Sequence, residues 1–343
     1  MRLLAKILIV LALIVLFFDV NNLHDLMNSF DRLITKWEQE FSGDTEEEQP
    51  SSLPLNEPEN EPFAIATIEP GMNKEMVEAK FGRPQRVTFN EYDTYWHAYH
   101  QNYHNFFMVI YDEHENVCGI YTNQNLLSSI YNITIGTDRN TVLKHLGTPL
   151  DGIQKGLYFY YLPEDRNYDM FHVQGNYVTF FYDEIGAGTV RAVQIITDKL
   201  EQEREEIYKE ARGERIEGFE YQLFDLTNAE RKKYGLPVLA MNERARQTAR
   251  AHSIDMARNH YFSHTNLEGK SPFERMDDNG ISYSYAGENL AYGQWSAIFA
   301  HEGLMNSPGH RENILNEGFE FTGIGVAFNE QNEPYFTQIF YSR

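Results

Sequence analysis

Apolar and polar positions change their spacing several times along this chain. The first block is an unbroken apolar run, Ile7–Phe18, which Leu3–Ala5 extends past Lys6. Counted from Leu3 to Val20 it approaches the roughly 20 residues a helix needs to cross a bilayer. Arg2 and Lys6 lie at its amino-terminal end, and acidic residues dominate the chain beyond Val20. That bias keeps the amino terminus in the cytoplasm and places the rest outside. The run closes Leu16-Phe17-Phe18-Asp19-Val20-Asn21, without the small residues a signal peptidase requires. Residues 1–20 are therefore expected to be a retained transmembrane anchor. The alternative is a signal segment whose cleavage leaves a secreted protein. In residues 21–42, Leu23, Leu26, Met27, Phe30, Leu33, Ile34, Trp37 and Phe41 recur at three- and four-residue steps, which predicts an amphipathic helix. Residues 43–62 are rich in Glu, Pro and Ser and read as an acidic, solvated linker.

Residues 63–197 contain an internal repeat. The segment from Gly71 through Phe81 to Gly82 and Pro84 aligns with that from Gly136 through Leu146 to Gly147 and Pro149. Each copy predicts a short helix stopped by glycine, with proline two residues on to prevent resumption. Strand-like aromatic runs come next, Phe106–Tyr111 in one copy and Tyr177–Tyr182 in the other. Each leads into a further strand, Val117–Thr122 or Val190–Thr197. Two tandem helix-plus-meander units are expected, each helix packed on its sheet. His97, His100 and His104 stand at odd spacing in a Tyr-rich stretch and read as surface or half-buried side chains rather than ligands. Residues 198–217 are almost wholly charged and predict an exposed helical connector held by opposite-charge pairs. Having so few apolar side chains, the connector predicts that the chain from about Glu214 onward folds alone.

The final block runs helix, helix, loop, helix, strand, strand. Gly235 and Pro237 stop its first helix. Ala245, Ala249, His252 and Met256 share one face of the second, so His252 reads as a core histidine. Ile324, Val326 and Phe328 alternate with Gly323, Gly325 and Ala327 before a second aromatic strand, Tyr335–Tyr341. The expected class is α/β: a C-terminal α-β-α sandwich, preceded by an α+β tandem-repeat domain and an N-terminal transmembrane helix.

Charge and cysteine content narrow the function. The formal net charge is −22 and the pI about 4.9, which argues against nucleic acid as a partner. Cys118 is the only cysteine, so no intrachain disulfide can form. It lies in an apolar strand-like run and reads as buried and inert.

Candidate chemistry concentrates in three strings: Tyr261–His264 (YFSH), Ala286–Ala291 (AGENLA) and Ser307–Leu315 (SPGHRENIL). They bring His264, Glu288 and His310 into one compact region. Two neutral imidazoles and a carboxylate can bind zinc with an open fourth position, or simply line a polar cleft. Glu288 can equally serve its own loop by accepting backbone hydrogen bonds. Ser307, three residues before His310, invites a triad reading, but no G-x-S-x-G elbow accompanies it. Before Pro308-Gly309 it reads better as a turn or cap residue.

In this order and spacing, together with Asn228–Leu239 and Ala251–Ala257, the strings make residues 219–343 resemble the CAP superfamily of cysteine-rich secretory proteins, antigen 5 and plant pathogenesis-related protein 1. The repeat region resembles the CAP-associated N-terminal domain of bacterial envelope proteins. The resemblance implies that His264, Glu288 and His310 line a central cavity that binds a divalent metal in some members. Many animal members place a further cavity glutamate where this chain has Ser307, and bacterial members often have Trp where this chain has Leu304. The missing acid counts against a mechanism that needs two carboxylates. The expectation is a membrane-tethered extracellular binding module for a lipid, peptide or envelope protein. The alternative is a metal-assisted peptide or ester hydrolase using the same cleft.

Overall fold

The computed structural model describes residues 53–343, which belong to one compact unit. The anchor, the amphipathic helix and the first half of the acidic linker lie outside the described residues. Among the described residues no helix is long and apolar enough to cross a membrane.

The first half opens with β1 (Phe63–Ile65) and α1 (Lys74–Phe81). It continues through β2 (Arg86–Phe89), β3 (Tyr95–Gln101), β4 (His104–Tyr111), β5 (Val117–Thr122) and β6 (Leu127–Ser129). The second copy comprises α2 (Arg139–Leu146), β7 (Gly152–Lys155), β8 (Tyr158–Tyr161), β9 (Tyr168–Val173), β10 (Asn176–Tyr182) and β11 (Val190–Thr197). One sheet runs β2-β3-β4-β5-β11-β10-β9, so the two meanders meet antiparallel at their last strands, with Ile195 opposite Ile120. The repeat is legible in the hydrogen bonds. Gly71 N donates to Val117 O at 2.7 Å and Gly136 N to Val190 O at 2.8 Å. Asn73 and Asp138 cap the two helices. Gly82 and Gly147 stop them at positive φ, 77° and 81°, where a side chain would be strained. The copies diverge in one place: β7 leaves the sheet and pairs with β8 in a separate hairpin.

Both faces of this sheet are apolar. Phe107, Val109, Ile120 and Val193 pack with Val77 of α1 and Val142 of α2. Phe106, Met108, Ile110 and Tyr121 face the other way and share a core with residues of the C-terminal half. Cys118 belongs to that second core and is buried, as its sequence context predicts. His97, His100 and His104 are half-buried.

The C-terminal half contains α3 (Asp198–Glu203), α4 (Gly213–Lys233), β12 (Ala240–Met241), α5 (Glu243–Asn259) and α6 (Pro272–Asp278). Then come β13 (Tyr285–Tyr292), α7 (Ala297–Met305), α8 (Pro308–Ile314), β14 (Phe321–Phe328) and β15 (Pro334–Ser342). Its sheet order is β12-β14-β15-β13. The alternation along β14 has a direct cause. A Cβ on Gly323 or Gly325 would fall inside the backbone of α5 at Ala245–Arg246 or Ala249–Arg250, so bare glycines let that helix lie on the sheet. Ile324 and Val326 point to the opposite face, into the core with Phe219 and Leu223 of α4 and with α7. The α-β-α sandwich forms as expected.

Much of the connector is exposed, as expected of a charged segment, but it is helical only at its two ends and three of its charged residues are buried. Glu201, Arg204 and Arg215 are buried. Lys155 of the β7 hairpin and Arg204 close on Glu201 at 2.7 and 2.8 Å, so these charges are taken up by tertiary partners rather than by water. Nor are the two halves separate bodies. Helix α4 lies against β2, with Arg86 paired to Asp225 at 2.8 Å and Gln222 donating to Phe89 O at 3.0 Å. Deeper still, Arg191 of β11 bridges Glu230 of α4 (3.0 Å) and Glu302 of α7 (3.1 Å), and the Tyr121 hydroxyl donates to Glu302 at 2.6 Å. Burial works against charge on Glu230, but Arg191 beside it holds its carboxyl below the usual range.

Candidate functional site

Glu288 sits on β13, an edge strand of the C-terminal sheet, and not in a loop. Its string AGENLA has little β-propensity, and register with β15 makes it a strand, Glu288 opposite Ile339. The side chain is 1% exposed, and both of its oxygens are engaged. Oε1 meets His264 Nδ1 at 2.9 Å; Oε2 accepts from Arg275 Nη2 at 2.6 Å. Arg275 comes from α6 and also donates to the carbonyls of His264 (2.7 Å) and Lys270 (3.0 Å). It therefore fixes the loop that carries His264 as well as the carboxylate that orients the imidazole. The imidazole itself is largely exposed.

His310 enters from α8. Its carbonyl accepts from Asn289 Nδ2 at 3.0 Å, and Asn289 Oδ1 accepts in turn from Asn313 Nδ2 at 2.9 Å. The imidazole is half-buried, and burial lowers its pKa, with the His264 ring contributing in the same direction. The structure thus joins His264 directly to Glu288 and holds His310 within electrostatic reach of His264. Ser307 occupies the N-cap of α8 ahead of Pro308 but makes no capping bond through its side chain. The corner it occupies is instead pinned by Arg311, which donates to Met305 O and pairs with Asp183 of the repeat region at 2.6 Å.

The expected zinc ligands are His264, Glu288 and His310. Among the described residues no group of three His, Cys, Asp or Glu side chains is arranged to hold a metal ion. Arg275 and His264 occupy the oxygens of Glu288, and the guanidinium already supplies its counter-charge. A carboxylate in this position orients an imidazole rather than binding a metal directly. Nor does a second acid come from α7. Its one carboxylate, Glu302, is turned into the interface with Tyr121 and Arg191. His252 is buried in the core, as predicted, its Nε2 at 2.9 Å from Ser263 O.

Sequence reasoning missed Arg275, Asn289 and Asn313. The signal for Arg275 was the S-P-F-E start at Ser271–Glu274, a capping box that marks a short helix between the two histidine-bearing strings. Nothing in one sequence shows that this helix aims its arginine at Glu288.

The fold and cleft are those of a CAP domain carried behind a tandem-repeat domain. Residues 224–340 match the model of the cysteine-rich secretory protein family, and residues 71–207 match the CAP-associated N-terminal model. The chain carries a CAP domain and a CAP-associated N-terminal domain. An uncharacterized protein of Bacillus subtilis (strain 168), YkwD, is 44% identical over 112 residues, which are 33% of this chain and 44% of that protein. The chain thus spans less than half the length of that relative. An uncharacterized membrane protein of the same organism, YlbC, is 27% identical over 292 residues, 80% of this chain and 82% of its own length. The crystal structure of an extracellular SCP-domain protein from Bacillus anthracis str. Ames superposes with a TM-score of 0.67 at 25% identity, covering 80% of this chain and 93% of that one. A cysteine-rich secretory protein from Staphylococcus aureus subsp. aureus Mu50 shares the fold, with a TM-score of 0.64 at 18% identity over 84% of this chain and 100% of that one.

Proposed function

We propose that this protein is a membrane-tethered binding module of the cell envelope. Its CAP cleft, at His264, Glu288 and His310, would hold a lipid, a peptide or another envelope protein. The observation that carries the reading is the closed state of Glu288. With both oxygens engaged, it stiffens the floor beneath an exposed imidazole and is not free to act as a general base. Extracellular placement rests on the apolar run Leu3–Val20 with the basic residues at its start. It is supported by the membrane protein of similar length and by the extracellular SCP-domain neighbour.

Metal analysis of the purified chain with and without His264→Ala, run beside a peptide- and ester-hydrolysis assay, tests this. Substoichiometric zinc and no turnover are expected. Stoichiometric zinc that disappears in His264→Ala, with turnover lost alongside it, would replace the binding reading with a metal-assisted hydrolase.

A further inference from the structure

The β7–β8 hairpin, where the two copies of the repeat diverge, is also where the described residues are most openly apolar. Leu157, in its tight turn, is 99% exposed, Tyr158 72% and Tyr161 79%, and Phe159 is exposed beside them. A contiguous apolar patch of this kind marks a contact site. From Gly152 to Pro163 the only charged residue is Lys155, and it is buried at the root of the hairpin. Its ammonium meets Glu201 at 2.7 Å and donates to Arg204 O at 2.7 Å. Gln202 donates to Gln154 O at 3.0 Å, and the Tyr160 hydroxyl to Glu205 O at 3.1 Å. The connector thus grips the root and leaves the tip in solvent.

The tip is ordered before it meets anything. Phe159 lies against Gly152, where a Cβ would come within 2.5 Å of its ring, and Tyr161 meets Phe159 edge-on at 4.8 Å between centroids. Rings already seated lose little freedom on binding. The first copy supplies the contrast. There the hairpin β2–β3 lies under α4, tied by Arg86 to Asp225 and by Gln222 to Phe89 O. The second copy keeps its polar ties at the root and turns Leu, Tyr and Phe outward.

Residue type, area and reach select the occupant. Tyrosines suit the bilayer interface, where the ring enters the apolar side and the hydroxyl stays among the headgroups. A second copy is a poorer match. At roughly 200 Å² per ring, the exposed parts of Tyr158, Phe159 and Tyr161 come to about 400 Å². Even with Leu157 added, that falls short of the ~800 Å² per partner of a stable protein interface. Reach is supplied by the chain, and this step rests on the membrane-tethered reading above. Residues 21–52 lie between the apolar run and the described residues. A segment of that length extends to at most about 110 Å, and a compact unit of this size is about 50 Å across. The tether therefore lets the hairpin meet the bilayer that holds the anchor, and weak insertion then suffices. We propose that the β7–β8 hairpin is a membrane-contact finger, which sets Leu157, Tyr158, Phe159 and Tyr161 into the interface of a lipid bilayer. Glu164, Asp165 and Glu205, exposed near its root, stay in water, so zwitterionic lipid is the suitable probe.

The test uses the full chain with Leu157→Cys, labelled with the fluorophore NBD and reconstituted in phosphatidylcholine vesicles. Cys118 is buried, so the parent chain should take up no label. Blue-shifted emission, quenched by lipid carrying a nitroxide near its headgroup, is expected at position 157. Neither is expected from Met76→Cys, an exposed position on α1. Adding Tyr158→Ser and Tyr161→Ser, both at solvent-exposed sites, should weaken insertion about tenfold. Flotation of the same vesicles separates the finger from the tether. A chain that floats with position 157 unquenched overturns the finger and leaves the tether standing. Flotation lost only in the tyrosine variant supports the finger and refutes the tether, and a chain that never floats overturns both. A blue shift that grows with protein density and resists the nitroxide would seat a second copy on the hairpin and overturn the proposal.

Discussion

Replacing Arg275 by methionine asks whether Glu288 is a structural anchor or a reactive group. The guanidinium makes three hydrogen bonds, to Glu288 Oε2 (2.6 Å), His264 O (2.7 Å) and Lys270 O (3.0 Å). Arg275 is 9% exposed at its side chain and Glu288 1%. Methionine keeps much of the volume but strands a buried carboxylate with one imidazole as its partner. Removing one member of a buried ion pair costs about 3–5 kcal/mol. The double variant Arg275→Met, Glu288→Gln no longer strands a charge, so it should fall short of the summed single losses by roughly 1–3 kcal/mol. Urea unfolding of all four proteins at neutral pH, monitored by circular dichroism, reads the cycle. A loss below about 1 kcal/mol in Arg275→Met, or strict additivity across the cycle, would refute the lock.

Other contacts and buried groups lead to further expected outcomes. Burial pushes the Glu91 carboxyl up to about 7 from 4.5, with Arg204 partly opposing, so the native state keeps this proton longer than the unfolded chain does. Stability from this group is therefore lost as pH rises from about 4.5 to about 7. The difference 7 − 4.5 = 2.5 corresponds to about 3 kcal/mol. Glu91→Gln should be more stable than the parent at pH 8 and no more stable near pH 4.5; an unchanged pH slope in thermal unfolding would reject this. Gly325→Ala places a methyl group in the backbone of α5 and should cost about 3 kcal/mol or more, read by urea unfolding. A protein starting at Glu214 exposes Phe219, Leu223 and Phe224 and deprives Glu230 and Glu302 of Arg191. Its melting temperature should drop well below that of the full chain, and an unchanged melting temperature would show that the shared core contributes little.

Much of the architecture was legible in the chain because it is set by local pattern. Strand-like apolar runs marked β4, β5, β10 and β11 almost to the residue, and the paired glycine-proline stops exposed the repeat. Ordered strings located His264, Glu288 and His310. Three things depended on tertiary structure. The AGENLA string becomes a strand only because β15 offers it a partner. Glu201 and Arg204 of the charged connector are buried because Lys155, distant in sequence, meets Glu201. Glu288 orients an imidazole, rather than presenting a free carboxylate, because α6 brings Arg275 within 2.6 Å. Local spacing records which face a residue shares with its neighbours along the chain. Whether a charge is solvated, paired or available for chemistry depends on what the rest of the chain places against it, and no periodicity encodes that.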